Sequence, residues 1–502
     1  MPNKPLLLGA LAAALVTPTL ASAQKAAPVD WAAFDRYVAQ AANDWKVPAL
    51  AIAVVKDDSL VFAKGYGVLE IGKNQPADQH TRFAIGSTTK AMTSAALAML
   101  VDDGKLRWDD HVTDYIPELQ LYDPYVTREL TIRDLLTHRS GLPGTDLFWA
   151  RWHYTLPEII HGLRYIKPES SFRSTWSYQN VMYALGGTII ERVSGLSWEA
   201  FLRSRIFGPL GMAETEALVS EIGGKPNVSV PHFRTGDSIR VVPMRSTDAI
   251  APAGSVWSSV SDMSKWMRFV LDSGRVGDRR LIKAATFREL ITPQIQAPMA
   301  EYPALALSRP DFFSYGFGWF IQDYAGQQVW MHTGSIDGQC AIIGLMPNQR
   351  LGVYVLENLD HAELRHALMY RAFDLYNGGP SRDWSAEVMA LFAGMRQRAA
   401  AAGPAAQRVE RPASVAIEKY AGTFVDSAYG TVAVTNANGT LRARVVTDPE
   451  ADLDHWDVDV FRTHAANPRD QIPLTFTPDG VGGIAAVRVY GVSFARVRPA
   501  NR

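Results

Sequence analysis

Cysteine is almost missing from this chain: Cys340 is the only one in 502 residues. No intramolecular disulfide can form in any compartment, and no thiolate cluster is available for zinc. Cys340 is followed by Ala341, Ile342 and Ile343, the setting of a small buried apolar residue rather than a reactive thiol. An excess of either charge is also missing. Lys and Arg number 50 against 51 Asp and Glu, for a net charge of -1, so a polyanionic partner such as nucleic acid is not expected. Beyond the N-terminus no run of 18 or more apolar residues occurs, so no membrane-spanning helix is predicted. Several catalytic signatures are absent too: His-Glu-x-x-His, a glycine-rich phosphate loop ending in Lys-Ser/Thr, and the Gly-x-Ser-x-Gly elbow. His361 and His366 are five apart, which is not the same-face metal pair of a helix, and surface positions are expected for both. No metal or cofactor is called for.

What is present is ordinary globular composition, 47% hydrophobic and 20% charged, on a chain long enough for more than one domain. Residues 1 to 23 have the layout of a secretory signal, with Lys4, an apolar stretch from Leu6 to Val16, and Ala21-Ser22-Ala23 before Gln24. The expected product is exported, periplasmic or secreted, with no membrane attachment after cleavage. A retained anchor is the alternative.

Trp31 to Ala42 has helical spacing, and Ala49 to Val55 with Leu60 to Ala63 reads as a hairpin turning at Lys56-Asp57-Asp58. A helix then begins at Ser87 and ends near Asp103, before Gly104. Short helices and long connections fill Leu106 to Ile250, with Thr131 to Thr137 and Val181 to Val193 clearest, and Ser261 to Leu271 is amphipathic. Strand patterns return at Gly316 to Gln322, Gln328 to Met331, Cys340 to Met346 and Leu351 to Glu357, followed by a helix from about Glu363 to Tyr376. This order predicts an α+β domain over 24 to 380, an antiparallel sheet flanked by helices with a helical insertion. Helix and linker follow over 381 to 412. From 413 to 502, β-like runs at Gly430 to Val434, Leu441 to Val446, Asp457 to Phe461, Leu474 to Phe476 and Ala485 to Val489 alternate with turn signals, predicting a small all-β, barrel-like domain.

Ser87 and Lys90 stand three apart at the start of a helix, so amine and hydroxyl share one face. Ser-x-x-Lys alone is weak, since Ser87 could simply cap the helix. Two further patterns add weight. Tyr178-Gln179-Asn180 is the only Tyr-x-Asn, and of the basic-hydroxyl-glycine triplets only His332-Thr333-Gly334 directly follows a strand-like run. A serine hydroxyl needs a base, and a tyrosine whose pKa is lowered by a nearby cation such as Lys90 could serve, then return the proton to the leaving group. Singly, Tyr178 and Asn180 could be no more than a helix start, and His332 a satisfied core histidine. Together they fill complementary roles. Phe148, Trp149 and Trp152 either line a cleft or pack locally.

With Phe83 to Lys90, Leu135 to Leu142, Ala251-Pro252-Ala253-Gly254 and Tyr315 to Trp319, the sequence resembles the serine β-lactamase and penicillin-binding family, in its class C-like branch of peptidases, D-aminopeptidases and esterases. The resemblance implies that Ser87 is acylated, that Lys90 and Tyr178 handle its proton, and that Asn180 bonds the substrate amide. It places His332, Thr333 and Gly334 at the substrate, and the backbone N–H groups of Ser87 and Ser335 in an oxyanion hole. His332 departs from the lysine usual in β-lactamases, which weakens carboxylate binding. The C-terminal region resembles the lipocalin-like domain that in some relatives caps the site or mediates oligomerisation, so a homo-oligomer is among the expectations.

The expected function is a serine hydrolase cleaving an amide or ester in a small peptide or peptide-like substrate through an acyl-enzyme. An esterase or β-lactamase of the same family is one alternative, and a non-catalytic binding or sensor module is another.

Overall fold

The computed structural model describes residues 29–236, 238–377, 382–402, 411–465 and 471–498. The signal-like segment 1 to 23 and most of the Ala/Gly/Pro linker lie outside the described residues.

The first helix, α1 (Trp31–Asp44), starts where the Asp30 carboxylate accepts the Ala33 N–H at 2.9 Å. Strands β1 (Ala49–Lys56) and β2 (Ser59–Gly67) form the expected hairpin. Helices α2 (Thr89–Asp102), α3 (Asn180–Ser194) and α4 (Val260–Leu271) follow, joined by shorter helices such as Pro124–Glu129, Ile132–Leu136 and Leu156–Gly162 and by loops. The chain then returns to the sheet in β3 (Ile295–Gln296), β4 (Phe313–Tyr315), β5 (Phe320–Tyr324), β6 (Gln327–Ile336), β7 (Gln339–Met346) and β8 (Leu351–Glu357). Helices α5 (Leu364–Asn377) and α6 (Trp384–Ala402) complete the layer.

The eight strands are ordered β2-β1-β8-β7-β6-β5-β4-β3, antiparallel throughout. The first and last strands of the sheet in chain order are therefore neighbours near one edge, Ile52 opposite Val355. Both faces are covered. Ala49, Ala51, Ala53 and Val55 face one core with Met92, Leu97 and Met263, while Leu50, Ile52 and Val54 face the other with Phe34, Leu368 and Phe373. Double coverage explains why β1, β7 and β8 read as unbroken apolar runs.

The C-terminal region is a closed eight-stranded barrel from Gly422–Asp426 to Val492–Arg496. Closure comes from Phe424 opposite Arg496 and Val425 opposite Ala495. Sequence periodicity finds only part of it: Asp457 to Phe461, expected as one strand, straddles the turn at 458–459 between Ala451–Asp457 and Val460–Thr463. The Asp457-side residues must reverse there, so the apolar pattern across the turn is coincidental. The barrel rests on the sheet-containing domain through aromatic contacts, Phe148 and Trp152 lying 4.6 and 5.1 Å from the Tyr429 ring. Those aromatics pack between the two bodies rather than lining a cleft; Phe148 is 1% and Trp152 0% exposed.

Candidate active site

Ser87 sits in a 3₁₀ turn, Gly86–Thr88, one residue ahead of α2, and its hydroxyl does not cap that helix. It accepts a hydrogen bond from Lys90 Nζ at 2.9 Å instead. Lys90 is completely buried and also donates to Asn180 Oδ1 at 2.7 Å and the Ala253 carbonyl at 2.9 Å. Three acceptors fix the amine, and Ala253 comes from the Ala251–Gly254 turn of the family resemblance. Burial pulls the Lys90 pKa well below its ordinary value, with only the carboxylate of Asp146 pulling the other way. This reverses the expectation that Lys90 supplies a cation to Tyr178. The amine is the group shifted toward its neutral, proton-accepting form.

Tyr178 lies under Lys90, whose Nζ is 4.6 Å from the ring centroid. Its hydroxyl is hydrogen-bonded to Ser87, which favours the phenolate, but burial outweighs this and raises its pKa well above the ordinary phenol value. A lowered tyrosine pKa was expected; desolvation decides otherwise. Burial therefore favours the protonated phenol. His138 holds it there: the His138 carbonyl accepts the Ser177 N–H at 2.8 Å, its Nδ1 accepts the Gln179 N–H at 3.0 Å, and its ring lies 4.4 Å from that of Tyr178. His138 does so at a positive φ of 57°, a strained conformation for a residue with a side chain. Its loop is braced by buried Asp134, which pairs with Arg139 at 2.5 Å and Arg173 at 2.7 Å.

Strand β6 is longer than the sequence pattern suggests, so His332-Thr333-Gly334 lies inside it rather than after it. Gly334 is required by close approach. A Cβ there would fall 1.9 Å from the Ile85 carbonyl and 3.1 Å from Ser87 N, and one on Gly86 would fall 2.6 Å from Ser335 N. Those contacts bring the Ser87 and Ser335 backbone amides together, where a developing oxyanion could be received. Behind them buried Arg365 donates to the Gly334 carbonyl at 2.7 Å and Ser335 Oγ at 2.9 Å, and pairs with Glu363 at 3.1 Å.

His332 is 1% exposed and has both nitrogens in use, Nε2 with the Tyr315 hydroxyl at 3.0 Å and Nδ1 with the Thr333 carbonyl at 2.6 Å. Burial lowers its pKa to about 3. It is a neutral wall of the site, walled off from direct contact with an anion. Thr333 Oγ1 is paired with the Tyr302 hydroxyl at 2.9 Å. Asn180, expected to bond a substrate amide, is engaged on both sides: Oδ1 by Lys90, and Nδ2 by the two oxygens of Asp146 at 3.0 and 3.1 Å.

Sequence reasoning did not single out His138, Asp146, Tyr302 or Arg365. The first is visible in the motif Thr137 to Leu142; for the others no local signal exists, because each is brought to the site by a distant segment. His366 also differs from expectation. It is 2% exposed, beside Glu363 Oε2 at 2.9 Å and the Tyr302 ring, because α5 turns that face into the core. His361, by contrast, has a 71% exposed side chain. Cys340 is buried and its thiol is pushed up to about 12. Among the described residues no group of three or more His, Cys, Asp or Glu is placed to hold a metal ion, and no helix is long and apolar enough to cross a membrane.

The profile of the Beta-lactamase family matches residues 34–376, more than half of the chain, and the protein belongs to that family. It is a serine hydrolase. A Domain of unknown function (DUF3471) matches residues 406–499, spanning the barrel. The chain is 28% identical over 446 residues to the unguisins hydrolase ungD of Aspergillus violaceofuscus, covering 82% of this chain and 78% of that protein. It is also 28% identical over 316 residues to penicillin-binding protein 4 of Amycolatopsis lactamdurans, covering 62% and 81%. In fold it is similar to an octameric penicillin-binding protein homologue from Pyrococcus abyssi, with a TM-score of 0.63 at 22% identity over 93% of this chain and 99% of that one.

Proposed function

We propose that the protein is an exported hydrolase that cleaves an amide or ester bond in a peptide or peptide-like substrate through an acyl-enzyme on Ser87. Export rests on the signal-like sequence of residues 1 to 23. One observation carries the chemistry: Nζ of buried Lys90, its pKa lowered, lies 2.9 Å from Ser87 Oγ, within reach of the hydroxyl proton once the amine is neutral. In acylation Lys90 takes the hydroxyl proton while Oγ bonds to the substrate carbonyl carbon, and the oxyanion is received by the Ser87 and Ser335 N–H groups. The bond to the leaving nitrogen or oxygen then breaks. Tyr178 gives that atom its proton and is resupplied from the Lys90 ammonium. Water reverses the sequence in deacylation. The hydrolase among the relatives supports hydrolysis as the reaction class.

Full engagement of the Asn180 amide favours an esterase as the second reading, because an ester needs no such contact. A neutral, enclosed His332 counts against a dedicated β-lactamase, whose substrates carry a carboxylate. Intact-mass measurement after treatment with a fluorophosphonate should show one added label that Ser87→Ala abolishes. Equal labelling of both proteins overturns the assignment of Ser87, and no labelling of either points to the non-catalytic module. A panel of aminoacyl amides, short peptides, p-nitrophenyl esters and a chromogenic cephalosporin then separates the substrate classes.

A further inference from the structure

Asp146 lies at the exposed edge of the site, two hydrogen bonds and one amide group away from the Ser87–Lys90 pair. Its known partners are all neutral: the Asn180 amide and the Trp149 indole N–H at 2.9 Å. No lysine or arginine of the described residues pairs with it, and a carboxylate with two oxygens has acceptor capacity to spare. The cations nearby are spent. Arg365 is buried against Glu363, and Arg245 pairs with Asp337 at 2.7 Å and donates to the Ala150 carbonyl. Histidines 138 and 332 are buried and held toward neutrality.

A carboxylate is a costly choice for the sole task of holding Asn180. Its charge acts on Lys90 in the direction that favours the ammonium, against the neutral amine that acylation needs. A neutral acceptor would orient the same amide without that penalty. The position is also rigidly built: Thr145 Oγ1 donates to Gln179 Oε1 at 3.3 Å, and Phe148 is wedged against Tyr429 and Gly162. Such preorganisation suits a recognition group.

We propose that Asp146 is a specificity-determining residue that receives a protonated amine on the acyl side of the scissile bond, so that the site takes cationic acyl groups over neutral or anionic ones. The inference rests on the acyl-enzyme reading above. Binding of an ammonium at Asp146 offsets the carboxylate's field on Lys90, so the correct substrate also favours the neutral form of the base that will attack it. Substrate recognition and base activation are thereby joined through one carboxylate.

The test compares an aminoacyl p-nitroanilide, in both L and D forms, with its N-acetyl and N-succinyl derivatives. Wild-type kcat/KM should favour the free amine over N-acetyl by about tenfold or more, with N-succinyl slowest. Asp146→Asn should bring the free-amine to N-acetyl ratio to within about twofold of one, mainly through KM, and raising ionic strength should shrink the wild-type ratio. An unchanged ratio in Asp146→Asn, with both substrates slowed equally, would make Asp146 only a positioning residue for Asn180 and overturn the proposal. So would a wild-type preference for the succinyl derivative. Calorimetric binding of the free and N-acetyl aminoacyl amides to Ser87→Ala, with and without Asp146→Asn, reads recognition without turnover. Tighter binding of the free amine there, lost in the double variant, upholds the role of Asp146 even if the acyl-enzyme reading fails; equal binding removes it.

Discussion

Every residue of β7 and β8 is buried, and so is all of β1 up to Lys56, whereas barrel strands such as Thr440–Val445 and Pro473–Pro478 alternate between inside and solvent. The contrast follows from layering: helices cover both faces of the sheet, and the barrel covers only its own interior. Such burial disfavours charge on both Lys90 and His332. The barrel interior is filled by Phe424, Phe461, Phe476 and Phe494, and the barrel meets the other body where Tyr429 packs on Phe148, two residues from Asp146. Desolvated chemistry thus belongs to one body and support of its edge to the other.

The sharpest way to break this division is at the seam between β6 and Ser87. Gly334→Ala places a methyl against the Ile85 carbonyl and should displace the Ser335 N–H, costing about 10³-fold or more in kcat/KM while the barrel keeps its fold. Kinetics with a p-nitrophenyl ester, paired with circular dichroism, would show it. Lys90→Ala should cost a similar or slightly smaller factor, about 10²- to 10³-fold, because the base is lost but the oxyanion site remains. In the wild type the base must be neutral, so kcat/KM should rise with pH through the lowered pKa of Lys90 and then stay level up to the ordinary lysine range. A profile still climbing steeply near pH 10 would mean that burial does not tune this amine.

Barrel variants sharpen the comparison with smaller effects. Tyr429→Ala removes a ring packed on Phe148 and Trp152 and should raise KM for amine-bearing substrates by about tenfold, with fluorophosphonate labelling slowed by less than about threefold. Phe476→Ala, inside the barrel, should lower stability by about 3 to 5 kcal/mol, seen in thermal melts, and leave Ser87 labelling intact below the transition. Equal loss of labelling in both variants would dissolve the distinction between rim and interior. The smallest expected change is none: with a pKa of about 3, His332 should show no titration between pH 5 and 8 by NMR.

Local features of the fold and site were legible because they depend on neighbours in sequence. The Ser87–Lys90 spacing, the hairpin of β1 and β2, and the helix after Gln179 all follow from periodicity and turn chemistry acting over a few residues. Barrel closure was not legible in detail, since the pairing of Phe424 with Arg496 joins strands at opposite ends of the domain and leaves no periodic trace. The strand containing His332 was read too short because Gly334 interrupts its strand propensity and residues 333–335 pair with β7 alone.

By itself, the sequence determined which groups could do the chemistry: a serine with a lysine one turn away, a lone Tyr-x-Asn, a histidine triplet, and no disulfide. The tertiary structure decided in which direction their protonation is biased. Lys90 was expected as the cation and Tyr178 as the base, and burial reversed both, because desolvation depends on what packs around a group rather than on what precedes it in the chain. The same packing brought Asp146 to Asn180 and Gly334 against Ile85, contacts that no spacing rule contains.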